Sequence, residues 1–222
     1  AAACDLSAAC CGFVYALSVA DAYVRTGSRS VLVIGSEVMS TIMDWTNRST
    51  CILFGDGAGA VVLSPADGER GILSSHLHSD GTFWDLICVP GGGSRIPPSE
   101  KMLADGLQYL KMKGNETFKV AVKTLEEVAR EALSANHLSV EDLDLYIPHQ
   151  ANVRIIKAVA DRLKLPMEKV VMNLDRYGNT SAASIPLALD EAVKAGRIQD
   201  GDLVLMEAFG GGLTWASAVI RW

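Results

Sequence analysis

An α/β fold, with helices covering both faces of its sheets, is what this sequence of 222 residues predicts. Three observations carry that expectation. Strand-like and helix-like patterns alternate along the whole chain. Residues 31–34 (VLVI) form a continuous apolar run closed by Gly35, the look of a strand buried on both faces. Residues 116–135 place Phe118, Val122, Leu125, Val128 and Ala132 on one stripe, the signature of a long amphipathic helix. Apolar residues at 49% and charged residues at 21% fit a globular chain and not a disordered one.

Element by element, residues 1–6 read as a strand running directly into a helix, a beginning that predicts a further part upstream. Residues 13–25 form that helix, with Phe13, Leu17, Ala20 and Val24 on one face and Gly27 as its stop. Strands follow at 30–35, 50–54 and 58–63, the last two around a turn at 55–59 (GDGAG), and another at 71–78. Residues 90–98 (PGGGSRIPP) are a loop, and the stretch from there to Lys113 has no clear pattern. After the long helix come a strand at 143–147, a helix at 152–163 and a short strand at 170–173. A helix at 184–195 accommodates Pro186 in its first turn and ends at Gly196. Strands at 203–208 and 214–221 meet across Gly210, Gly211 and Gly212. The two halves repeat a pattern of strand, helix, strand and glycine-rich hairpin, which points to a duplicated architecture.

A net charge of -6 and a pI near 5.2 disfavour a bulk nucleic-acid binder, which needs a basic footprint. No apolar run reaches the length of a membrane span, and the first residues carry no basic stretch of the kind that opens a signal peptide. Cysteines at positions 4, 10, 11, 51 and 88 are odd in number and suit reduced thiols in a cytoplasmic protein. No pair has CxxC spacing, and nothing completes a site around His76 and His78, so no metal is expected.

Four places could carry chemistry. In residues 7–13 (SAACCGF), Cys10 or Cys11 sits where a strand turns into a helix, and a helix N-terminus lowers a thiol pKa. Both would equally serve as small core residues. His149, in the PHQAN sequence of residues 148–152, follows a strand, where open α/β sheets bind ligands. A lone histidine there is also an ordinary hydrogen-bonded residue. In residues 178–184 (GNTSAAS), Asn179 has both donor and acceptor capacity, or is simply an N-cap or turn residue. Residues 207–215 (EAFGGGLTW) hold three glycines whose N–H groups suit an oxyanion hole or an ordinary hairpin.

Taken together, these motifs and LFGDGAGAVVL at 53–63 resemble the thiolase-like condensing enzymes, most closely the β-ketoacyl-acyl-carrier-protein synthase III type. The resemblance covers essentially the whole chain. It implies a thiolase-like duplicated α/β/α/β/α fold with its first half incomplete here, divided into residues 1–68, carrying the nucleophile, and 69–222, carrying His and Asn. It further implies an acyl-accepting Cys10, with Cys11 packed beside it, and a malonyl-binding pair His149 and Asn179. The oxyanion hole would be the N–H groups of Cys10 and Gly211. Arg48, Gly114 and Asn152 match coenzyme A contacts, Phe209 packs near the active cysteine, and Arg154 with Lys157 would dock the carrier protein. The implied reaction condenses an acyl-CoA with malonyl-acyl carrier protein in a cytoplasmic homodimer, using no cofactor, nucleic acid or membrane.

The superfamily rivals differ at named positions. Thiolases carry a second cysteine in the C-terminal glycine loop, where residues 210–215 have none, and elongating synthases use a second histidine where Asn179 stands. Polyketide or quinolone-type condensing enzymes share Cys, His and Asn. A papain-like protease also runs Cys, His, Asn, but its C-G-S-C-W context is missing. A non-catalytic scaffold of this fold is the remaining alternative.

Overall fold

The computed structural model describes residues 1–222. In chain order its elements are α1 (Gly12–Arg25), β1 (Val31–Glu37), α2 (Arg48–Cys51), β2 (Gly57–Leu63), β3 (Gly71–Ser79), β4 (Ile87–Cys88), α3 (Glu100–Ala104) and β5 (Lys111–Met112). There follow α4 (Gly114–Ala135), β6 (Leu145–Pro148), α5 (Val153–Leu163), α6 (Leu174–Tyr177), α7 (Ser184–Lys194), β7 (Leu203–Gly210) and β8 (Thr214–Arg221). Most of the helices lie where their apolar stripes predict.

The main sheet runs β3-β8-β7-β6, antiparallel except for the parallel β6/β7 pair. Its central strand β7 is buried at every position. Val204, Met206 and Ala208 face a core built with α1 and α7, through Phe13, Leu17, Ile185 and Leu189. Leu203, Leu205 and Phe209 face a second core under α4 and α5, with Val122, Leu125, Ile156 and Val159. Period-two alternation thus feeds two apolar layers from one strand.

Strands β1 and β2 pair antiparallel, Val31 opposite Leu63 and Glu37 opposite Gly57. The pair rests on α7 through glycine: a Cβ at Gly59 would lie 2.8 Å from Pro186 Cβ. A third small cluster gathers Met39, Met43 and Leu110, flanked by Phe54 and Ile87.

The structure differs from four expectations. Residues 1–6 form no strand, because nothing pairs with them, and they lie exposed. Strand β1 is buried on one face only, leaving Leu32 and Ile34 open; the doubly buried strand is β7. Residues 50–54 are not a strand. Asn47 caps a helical turn there, its side chain accepting from the Ser49 N–H at 3.1 Å, and that local bond outweighs β propensity. Residues 170–173 reduce to a single bridge, Val170 to Tyr146, before α6 begins.

Candidate active site

Cys10 sits in a 3₁₀ turn, Ala9–Cys11, that leads straight into α1. Ala9 has φ +46°, a left-handed conformation rare for a residue with a Cβ, so the chain bends sharply just before the cysteine. The end of β7 closes on this bend. A Cβ at Gly210 would stand 2.7 Å from the Cys10 nitrogen, so only glycine fits. Cys11 is fully buried, its thiol donating to the Thr214 carbonyl at 3.3 Å, and it is the packed neighbour.

A second 3₁₀ turn, Ser181–Ala183, packs against the first. Its neighbours carry the other reactive groups. Asn179 is held at both backbone atoms by the segment after α2: its N–H donates to Leu53 and its carbonyl accepts from Gly55. Its side-chain Oδ1 accepts from the Ser181 N–H at 2.8 Å, which leaves the Nδ2 donors for something else. The Ser181 hydroxyl, next to Cys10, donates to Glu37 Oε1 at 3.1 Å. Ser184, one residue past the turn, sits 2.6 Å from His149 Nδ1. His149 follows β6, and its backbone N–H donates to the Glu207 carbonyl at 2.7 Å. Cys10, His149 and Asn179 are therefore tied to one segment, residues 179–184. Neither the Cys10 nor the Gly211 N–H donates to a backbone carbonyl, so both remain available as oxyanion donors.

Burial sets the charge state of this site. It pushes the Cys10 thiol up to about 11, with Glu37 adding to the rise against a smaller lowering by the neighbouring Ser181 and the backbone. The expected lowering by the helix N-terminus is overturned: desolvation outweighs it. The same cause drops His149 to about 4, so its imidazole is neutral at ordinary pH. Beside it, Glu207 is fully buried on β7 and accepts a hydrogen bond from the Tyr146 hydroxyl, while its Oε2 has no partner. Burial raises its carboxyl to about 8. Glu207, Tyr146, His149 and Phe209 line a cavity of about 20 Å³, room for roughly one water.

The remaining expected positions lie outward. Arg48 begins α2 and Gly114 begins α4, both exposed. Asn152 caps α5, its Oδ1 accepting from the Arg154 N–H at 2.8 Å. Arg154 and Lys157 are exposed on that helix, and the Arg154 guanidinium covers the Phe118 ring at 5.3 Å. Val153 is exposed at the start of α5, and Ile156, Val159, Ala160 and Leu163 face inward. Ser181, Ser184, Glu207, Tyr146 and Glu37 carry no individual signal in the sequence. The two serines were visible only as small residues in GNTSAAS, and Glu207 was the one charge inside an otherwise apolar strand.

Glu207 has a measurable consequence. The unfolded acid ionises above about pH 4.3, while the folded one keeps its proton to about pH 8. Stability therefore falls as pH rises through that window, by about 1 kcal/mol per pH unit. Between about pH 5 and 8, urea unfolding of Glu207→Gln should lose less stability per pH unit than wild type, the contribution of His149 being common to both proteins. Equal slopes for the two proteins would contradict a neutral buried Glu207.

Comparison with known proteins agrees with this geometry. The family model for 3-oxoacyl-[acyl-carrier-protein (ACP)] synthase III matches residues 4–81, and that for the C-terminal part of the same synthase matches 133–222. The β-ketoacyl-[acyl-carrier-protein] synthase III of Alkalilimnicola ehrlichii is 59% identical over 219 residues, 98% of this chain and 67% of that protein. The synthase III of Xanthomonas campestris pv. campestris is also 59% identical, over 98% of this chain and 66% of its own length. The crystal structure of the Aquifex aeolicus synthase III superposes with a TM-score of 0.90 at 48% identity, covering 98% of this chain and 66% of that one. The chain thus spans about two thirds of the length of these relatives. A papain-like protease is excluded by these matches. This chain belongs to the 3-oxoacyl-[acyl-carrier-protein] synthase III family of condensing enzymes and has their thiolase-like α/β fold.

Proposed function

We propose that this chain carries the catalytic centre of an initiating condensing enzyme, joining an acyl-CoA primer to malonyl-acyl carrier protein. The observation that carries the reading is the pairing of a neutral, buried His149 with an Asn179 whose Oδ1 is already occupied. Both are donors without charge, suited to an enolate oxygen and not to a cation's task. In the first step Cys10 sulfur forms a bond to the acyl carbon and the carbon–sulfur bond to coenzyme A breaks. The thiol proton leaves with the coenzyme A thiolate, so a Cys10 thiol near 11 needs no permanent thiolate. The N–H groups of Cys10 and Gly211 hold the transient oxyanion.

In the second step the malonyl carbon–carbon bond breaks, CO₂ departs, and its electron pair becomes an enolate held by His149 and Asn179. The enolate carbon attacks the acyl-Cys10 carbonyl, and the sulfur leaves as thiolate and takes up a proton from solvent. No cofactor is called for. Arg48, Gly114 and Asn152 would contact coenzyme A, and Phe209, which lines a small cavity with His149, would pack near the active cysteine. The two halves of the fold would be residues 1–68 and 69–222; two separate family models match the chain, the first running on to residue 81. The enzyme would work as a homodimer in the cytoplasm. Its five free cysteines suit a reducing compartment, and no helix is long and apolar enough to cross a membrane.

Mass mapping after incubation of the full-length protein with acetyl-CoA should place the acyl group on Cys10. His149→Ala and Asn179→Ala should each keep that acylation and lose malonyl decarboxylation by about a hundredfold. Acylation of Cys11, or condensation at wild-type rate in either variant, would refute the assignment.

Carrier proteins of this pathway are acidic, as this chain is overall, so attraction needs a local basic face. Arg154 and Lys157 supply one on α5, directly after His149. Arg154→Glu should raise KM for malonyl-carrier protein several-fold at low salt and leave that for acetyl-CoA unchanged. An equal effect on both substrates, or none, would show that this face does not bind the carrier.

A further inference from the structure

A neutral imidazole owns one ring proton and can carry it on either nitrogen. To donate to a substrate oxygen from the nitrogen that faces away from Ser184, His149 must carry it on Nε2. The backbone around it is fixed. The His149 N–H is taken by the Glu207 carbonyl. Next in sequence, Gln150 is fully buried with its side chain satisfied: Nε2 donates to Pro148 and Val171 at 2.7 and 3.1 Å, and Oε1 accepts from the Asn173 N–H at 2.9 Å. With Gln150 locked, its own N–H points to Ser184 Oγ at 3.3 Å.

That bond decides the rest. An N–H can only donate, so Ser184 Oγ accepts there. Ser184 is 1% exposed, and its hydroxyl has one other hydrogen-bond partner, His149 Nδ1 at 2.6 Å. If Nδ1 carried the ring proton, two donors would converge on Oγ and the serine proton would be buried with no acceptor. If Nδ1 is bare, the serine proton has its acceptor, and Ser184 Oγ, His149 Nδ1 and the Gln150 N–H are all paired. We infer that Ser184 is a positioning residue that donates its hydroxyl to Nδ1 and so holds His149 as the Nε2–H tautomer. The tautomer stands on hydrogen-bond geometry alone; its catalytic consequence rests on the function proposed above.

The test is ¹⁵N NMR of the full chain labelled at histidine, at neutral pH, with Ser184→Ala and Ser184→Thr alongside. In wild type, His149 Nδ1 should resonate as an unprotonated, pyridine-type nitrogen and Nε2 as a protonated one. Ser184→Thr, which keeps the hydroxyl, should match it. Ser184→Ala should shift both signals towards one another as the tautomers exchange. Ser184→Ala should also lower kcat for decarboxylation of a malonyl thioester by about tenfold with little change in KM, Ser184→Thr restoring most of it. A protonated Nδ1 in wild type, or a Ser184→Ala spectrum identical to wild type, would overturn the inference. An Nε2–H tautomer that is lost in Ser184→Ala, with decarboxylation indifferent to both His149→Ala and Ser184→Ala, would uphold the serine's control of the tautomer and refute the role given to His149.

Discussion

The segment from Asn179 to Ser184 is the constraint on which the site depends. Its first residue is pinned by two backbone bonds to the chain at Leu53 and Gly55, and its last opens α7 against the main sheet. Between them Ser181 takes φ +50°, which folds six residues tightly enough that Ser181 reaches Glu37, Ser184 reaches His149 and the turn packs against that of Cys10. Glycines make room for this. Gly35 of β1 lies under the Ala182 carbonyl, and Gly12 at the start of α1 faces the Ala182 methyl, where a Cβ would sit at 3.4 Å. Two sharp turns, each with a left-handed non-glycine residue, are thereby pressed together at the candidate site.

Desolvation then sets the electrostatics. Cys10, His149 and Glu207 differ in chemistry, yet burial drives each toward its uncharged form. With these three groups uncharged, hydrogen-bond direction is what they offer a transient oxyanion under the function proposed above. That places weight on small choices: which amide atom of Asn179 is occupied, which imidazole nitrogen is bare, which N–H groups at Cys10 and Gly211 lack acceptors. Preorganised donors of this kind need no reorganisation as charge develops.

How much of this was legible follows from the range of the interactions. Cys10, His149, Asn179 and the glycine loop stood out because their residue types and their order along the chain are local facts, and α1, α4, α5 and α7 because apolar periodicity is local too. Which strand would be buried on both faces was not local: VLVI in β1 and LVLM in β7 read alike, and only the layers around them separate the two. The Cys10 pKa failed for the same reason. A helix N-terminus is visible in sequence, but the depth of burial is not. Ser184 was hidden because its significance lies in a pairing across 35 positions with His149.

The central claim is that residues 179–184 form a rigid frame and not a loop that settles on substrate. Amide hydrogen exchange of Ser181 and Gln150 tests it most directly, since their N–H groups donate to Asn179 Oδ1 and Ser184 Oγ inside the frame. The account predicts that both exchange only as slowly as the core amides of β7, through global unfolding. Exchange of either at the fast rate of an open loop, while β7 stays protected, would contradict it.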